Sequence, residues 1–177
     1  KLLHILEGHK GNIYAIAFDP LGRILASGSD DGTIGLWDPA SGELLCRLDS
    51  QIEEIINIAF DPKGYILAIA GIGGTVDLWE IDPGIIRPIR FKKIINNTSN
   101  QIFLPNIAFD YFSNNIAIGR GKIIEIRDVW TGLLLKTLEG HLGDSNCLAF
   151  STQKRLLASR AVNHKEILLW RTDYMAE

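Results

Sequence analysis

The chain has 177 residues, with 18 Lys and Arg against 21 Asp and Glu and a net charge of −3 at pH 7. That balance removes the electrostatic argument for nucleic acid, which needs clustered cations. Cys46 and Cys147 lie far apart without metal-type spacing, so reduced thiols and a cytoplasmic location are expected, and the longest apolar stretch, Tyr65 to Val76, carries glycines and is too short to span a bilayer.

In chain order, Lys1 to Leu6 aligns with Leu44 to Leu48 and with Leu133 to Leu138. Residues 1–7 are therefore expected to be the last strand of a preceding unit. Gly8-His9 follows, then Ile13 to Phe18 alternates, and Asp19-Pro20-Leu21-Gly22 places Pro and Gly where a type I turn wants them. Next come Ile24 to Ser29, the pair Asp31-Gly32, and Thr33 to Trp37. Asp-Gly between alternating apolar runs is a strong hairpin signal. After Ser41-Gly42, the run Glu43 to Leu48 completes four antiparallel strands, a to d, over residues 8–49. The triplet Ile16-Ala17-Phe18 returns as Ile58-Ala59-Phe60, Ile107-Ala108-Phe109 and Leu148-Ala149-Phe150. Its phenylalanines are spaced by 42, 49 and 41 residues, the period of propeller blades and not of leucine-rich or ankyrin repeats. Further units are expected at 50–91, 92–139 and 140–177, the last without its own strand d. The polar run Lys92 to Gln101 reads as a surface loop that accounts for the 49-residue step; within it, Asn96-Asn97-Thr98-Ser99 holds two overlapping glycosylation acceptor sequences.

Units that open on Gly-His and close on Trp37-Asp38 resemble the WD40 repeat over nearly the whole chain. The resemblance implies an all-β fold of WD40-type β-propeller blades, about four four-stranded antiparallel sheets. Four blades are few for a family that usually closes with about seven, and the first residue is not Met. A piece of a larger propeller is thus expected over a closed four-bladed ring, with further repeats or domains in a longer chain and with apolar open ends.

The resemblance also implies a structural hydrogen-bonded network of His, Ser or Thr, Asp and Trp. In blade 1 the matching residues are His9, Ser27, Asp31 and Trp37. Ser, His and Asp also make a nucleophilic triad, but a nucleophile needs an exposed hydroxyl beside an oxyanion site. Buried groups satisfying one another is the expected role. Blade 4 keeps His141, Ser159 and Trp170, with Asn163 or His164 in the Asp place. Blade 2 has Gln51, Ile69 and Gly73 for His, Ser and Asp and keeps Trp79. Blade 3 has Asn100, Ile118 and Arg127 in the His, Ser and Trp places, while Trp130 falls in the following turn. Losing a whole polar network costs less than leaving half of it unpaired. Blades 2 and 3 are therefore expected to be held by apolar packing alone, with Arg127 needing a partner or solvent.

Other constellations are weaker. Gly71-Ile72-Gly73-Gly74 reads as a b–c turn, since no Gly-Lys-Ser/Thr follows. Arg87, Arg90, Lys92 and Lys93 form a basic cluster that suits an acidic partner or lipid headgroups, or simply protects an edge strand. The four histidines are scattered, so no metal site, cofactor or catalytic set is expected. Gly28 against Arg160 is the kind of change that decay after duplication produces.

WD40 propellers mostly hold other proteins on the face built by the d–a and b–c loops. Here that face is expected to carry Asn12, Tyr14 and Asp30, then Glu54, Ile56 and Ile72, then Asp144, Asn146 and Val162. This acidic and apolar mixture suits a partner with basic and apolar groups, or is plain solvent-facing surface. The wording of the repeat resembles the high-similarity arrays of fungal NACHT-WD proteins, which implies a non-enzymatic protein-interaction scaffold or recognition module. Two alternatives are a ubiquitin-ligase substrate receptor and a decayed, non-functional fragment. Ligase docking uses Trp-Asp-x-Arg, and here Trp37-Asp38 is followed by Pro39-Ala40.

Overall fold

Side chains alternate between the two faces of a strand, so runs of Ile, Leu and Ala bounded by Gly and Asp can bury both faces of a small sheet. The computed structural model describes residues 1–82, the backbone of 85–95, and 104–172. It forms four antiparallel sheets in chain order. The first pairs β1 (Ile13–Phe18), β2 (Leu25–Ser29), β3 (Thr33–Trp37) and β4 (Leu44–Asp49). The second pairs β5 (Ile55–Phe60), β6 (Ile66–Gly71), β7 (Val76–Asp82) and β8 (Ile85–Ile95). The third contains β9 (Ile107–Phe109), β10 (Asn115–Arg120), β11 (Ile123–Asp128) and β12 (Leu134–Glu139). The fourth has three strands, β13 (Ser145–Phe150), β14 (Leu156–Ala161) and β15 (Ile167–Arg171).

The a–b turn of each of the first three sheets hangs on one buried aspartate. Asp19 Oδ1 accepts from the amides of Arg23 and Ile24 at 2.5 and 2.9 Å. Asp61 Oδ1 does the same for Tyr65 and Ile66 at 2.8 and 2.7 Å, and Asp110 Oδ1 for Asn114 and Asn115 at 2.9 and 3.1 Å. Blade 4 has Ser151 there, which accepts from Lys154 N at 3.0 Å. The turn's left-handed position is Gly22, Gly64 and then Ser113, at φ 67°, 77° and 62°.

The sheets stack through their first strands: β1 on β5, β5 on β9 and β9 on β13. The core is correspondingly divided into three apolar clusters, one per junction. Ile34 and Leu36 meet Ile55, Ile58 and Ile69; Val76 and Leu78 meet Ile107, Ile116 and Ile118; Ile124 and Ile126 meet Leu148 and Leu157. Burial of this kind contributes about 1.5–3 kcal/mol per large side chain, so each blade depends on its neighbour.

The expected boundaries need two corrections. Residues 1–7 carry no strand. Leu2, Leu3 and Ile5 are exposed, and the segment is held by His4 Nε2 with Ala40 O at 3.0 Å and by the Arg47 guanidinium donating to Gly8 O. A strand needs a neighbour's backbone, and no strand among the described residues pairs with this segment. Strand d of blade 2 also passes the expected end at 91, because β8 pairs with β7 as far as Ile95 opposite Val76. Lys92 and Lys93 therefore sit in a strand, not a loop. Asn100 and Asn96 to Ser99 lie outside the described residues, as do the side chains of Arg87, Arg90, Lys92 and Lys93.

Candidate functional site

In blade 1 the network assembles as the repeat implied. His9 Nε2 lies 2.7 Å from Ser27 Oγ, and Trp37 Nε1 donates to the same oxygen at 2.8 Å. The other ring nitrogen, Nδ1, faces Thr33 Oγ1 at 3.0 Å, and Thr33 Oγ1 donates to Asp31 Oδ1 at 2.6 Å. One proton arrangement satisfies the chain: indole to Ser27, Ser27 to Nε2, Nδ1–H to Thr33, Thr33 to the carboxylate. Asp31 also takes the amides of Lys10 and Thr33 at 2.7 and 2.9 Å. Burial pushes its carboxyl up, but the hydrogen bonds from Thr33 and Lys10 outweigh this and hold it well below the usual carboxylate range. Sequence reading missed Thr33, although its place one residue after Asp31-Gly32 is where a hydroxyl reaches the carboxylate. Ser27 is buried and its oxygen is occupied by the indole, so no substrate carbonyl can approach it. The geometry is that of buried polar groups satisfying one another.

Blade 4 repeats the inner half of this arrangement. His141 Nε2 lies 2.7 Å from Ser159 Oγ, and Trp170 Nε1 donates to that oxygen at 2.7 Å. The amide of Val162 donates to Asp144 O as that of Asp30 does to Asn12 O. This match puts Asn163, with φ 60°, in the Asp31 place. Burial pushes the His141 imidazole below its ordinary value, and His164 adds to the fall. The folded chain thus prefers His141 neutral, while the unfolded chain takes up a proton near pH 6.5. Stability is complete above that pH and falls as pH drops below it. The melting temperature is expected to be lower at pH 5.5 than at 7.5, with a smaller difference in His141→Gln. Equal pH slopes in the two chains would sink the assignment.

Blade 3 corrects the expectation of apolar packing alone, whereas in blade 2 Ile52, Ile69 and Trp79 lie in an apolar cluster. In blade 2, Ile69 replaces the serine and Ile52 closes over Gly71, where an added Cβ would lie 1.8 Å from its side chain. Yet Trp79 Nε1 remains, buried and without an acceptor. In blade 3, Arg127 pairs opposite Ile116 as Trp37 does opposite Leu25, which confirms the register and leaves Trp130 exposed in the turn. Its charge is met by a new network. Arg127 Nε donates to Glu125 Oε2 at 2.8 Å and Arg127 Nη1 to Gly132 O at 2.9 Å. Arg120 Nη1 donates to Glu125 Oε1 at 2.9 Å. Glu125 occupies the place of Gly35, over which the blade 1 indole lies. The signal was present in sequence: Glu125 and Arg127 are two apart on a strand and so share a face.

The proposed partner face has a repeated geometry. Backbone bonds join the b–c loop to the d–a loop: Asp30 N to Asn12 O at 3.1 Å, Ile72 N to Glu54 O at 3.0 Å and Val162 N to Asp144 O at 2.8 Å. Beside each pair, the a–b register slips by one residue, at Tyr14, Ile56 and Asn146. Such bulges re-aim a side chain, and all nine residues gather at the same end of the blades. Asp30 is not free there. It accepts from Asn12 N and Nδ2 at 2.7 and 3.0 Å, so it braces the loop. The sequence Gly71 to Gly74 is the b–c turn, closed by Gly74 N donating to Gly71 O at 3.1 Å. Among the described residues no group of His, Cys, Asp and Glu forms a metal cluster, and no helix is long and apolar enough to cross a membrane.

Comparison with known proteins agrees with this geometry. Residues 1–38 and 132–170 match the family model "WD domain, G-beta repeat". The chain is 34% identical over 144 residues to the nuclear distribution protein PAC1 of Coccidioides posadasii, covering 78% of this chain and 31% of that protein. A shorter stretch of 45 residues is 47% identical to human Striatin-4, covering 25% of this chain and 6% of that one. The chain thus spans about a third or less of the length of these relatives. Among solved structures, the β-propeller domain of Cps50 (Swd1) from Myceliophteria thermophila superposes with TM-score 0.78 at 17% identity, over 92% of this chain and 54% of that one. The computationally designed Ika4 protein gives 0.73 at 29% identity, over 94% and 95%. With its four-stranded blades and its His–Ser–Trp networks, the chain belongs to the WD40 repeat family.

Proposed function

We propose that the chain is a non-enzymatic protein-binding module whose contact face is the loop end of the blades. The observation that carries this reading is the threefold recurrence of a pinned loop pair beside a bulge, which gives rigid, evenly repeated positions to side chains of different chemistry. Rigid presentation lowers the ordering cost of binding. Tyr14 and Asp144, both exposed, supply an aromatic anchor and an acidic group, which fit a partner bearing basic and apolar groups. The repeat wording further supports a role as the recognition array of a NACHT-type signalling protein. A reading frame without a nucleotide-binding domain counts against that finer reading alone.

The test is a side-by-side capture from lysate with the parent chain and a Tyr14→Ala, Asp144→Lys variant. Losing an anchor residue costs 2 kcal/mol or more, on the order of thirtyfold in affinity. The captured partner is expected to be lost at unchanged melting temperature. Recovery of the same proteins by both chains overturns the face.

A further inference from the structure

The end of the blades opposite the loop face is built by the a–b turns, and there the third junction departs from the first two. Counted from the repeat phenylalanine, the equivalent turn positions are Pro20 and Gly64 for blades 1 and 2, and Pro62 and Ser113 for blades 2 and 3. Small residues let these turns close up. A Cβ on Gly64 would meet Pro20 Cδ at 3.0 Å, and Ser113 is buried. For blades 3 and 4 the same two positions hold Tyr111 and Lys154, and both line a cavity of about 200 Å³. Its apolar walls are Tyr111 and Phe112, each 54% exposed, with ring centroids 5.4 Å apart edge to face. Phe150, half-buried against the core, completes them.

The polar side of the cavity is the blade 4 turn, Ser151 to Arg155, which carries two cations and no acid. In blade 1 the equivalent of Arg155 is Arg23, paired with Asp19 at 3.0 Å; Ser151 stands in the Asp19 place. Asp110 also lines the cavity, but its carboxylate is turned into its own turn, where Oδ2 accepts from Asn115 Nδ2 at 2.8 Å. Apart from Thr172, every lining residue belongs to these two turns and the strand ends beside them. The cavity thus lies at an internal junction.

We propose that this cavity binds an extended segment of a partner protein, seating one large apolar side chain between the aromatic rings while flanking carboxylates meet Lys154 and Arg155. Pockets for whole small ligands run to roughly 300–1,000 Å³, so this one suits a single side chain. Aromatic walls can also take a cation, but two cations beside them repel one. The site is chemically opposite to the loop end, which fits basic groups, and it lies at the other end of the strands.

Fluorescence anisotropy of a dye-labelled Glu-Glu-Phe-Glu-Glu peptide, titrated with the 177-residue chain, tests this. The parent is expected to bind it at least tenfold more tightly than Lys-Lys-Phe-Lys-Lys or Glu-Glu-Ala-Glu-Glu, and less tightly as salt is raised. Lys154→Glu and Tyr111→Ala, with folding confirmed by circular dichroism, should each weaken binding about tenfold. The Tyr14→Ala, Asp144→Lys variant should bind like the parent. Failure of the parent to prefer the acidic phenylalanine peptide over either control overturns the proposal. Equal binding by the parent, Lys154→Glu and Tyr111→Ala overturns it as well, and loss of binding in the loop-end variant would assign the peptide to the other face.

Discussion

Trp37→Ala is expected to lower the melting temperature by roughly 10 °C, and His9→Ala by less. Removing a buried indole costs about 3–5 kcal/mol, and in a chain of this size each kcal/mol is worth about 2–4 °C. The loss is not only one of volume. Ser27 Oγ, which takes the indole N–H at 2.8 Å, would lose that donor in a buried place. His9→Ala in turn takes the acceptor from the Ser27 hydroxyl, at about 1–3 kcal/mol for the group left unsatisfied, while Thr33 keeps Asp31. The contrast lies in blade 2. Trp79 Nε1 already has no acceptor, so Trp79→Phe keeps the ring's packing, discards the orphan, and is expected to be neutral or stabilising, while Trp37→Phe is not. Thermal melts of the four variants by circular dichroism decide the matter. Equal losses in Trp37→Phe and Trp79→Phe would show that the two indoles serve only as volume.

Glu125→Ala is expected to destabilise the chain as strongly, by about 3–5 kcal/mol, because it strips the carboxylate from Arg127 and Arg120 in a largely buried setting. Replacing the ionic set together, as Arg120→Met, Glu125→Leu and Arg127→Leu, is expected to recover most of that loss, since well-packed apolar residues avoid the desolvation of three charges. The two chains differ in which charges are left unpaired, so chemical denaturation midpoints separate them. A triple variant no better than Glu125→Ala would mean that the ion pairs stabilise blade 3 beyond their desolvation cost.

These two sites mark the limits of what the repeat could say. Strand positions, turns and register were legible, because turn chemistry and a period of about 42 residues are local properties of the chain. Even the substitution of Arg127 for Trp followed from counting. The polar centre of blade 3 did not, because reading one register position at a time treats Arg127 as a lost tryptophan and not as a partner of Glu125. The contact made by Asp30 was missed for a similar reason. Its repeat position gave its place on the loop face and not its neighbour, whereas the fold brings Asn12, 18 residues away, within reach of it.

By itself, the sequence determined an array of antiparallel blades, the His–Ser–Trp centres of blades 1 and 4, and the loop end as the place where side chains diverge. Those features depend on alternation, glycine and turn residues, which act over a few positions. Only the tertiary structure decided which apolar residues are covered, because Ile16 and Ile58 occupy the same repeat position and differ solely in having a blade in front of them. Burial belongs to the stack and not to the strand: identical wording is core at a junction and open surface at an end.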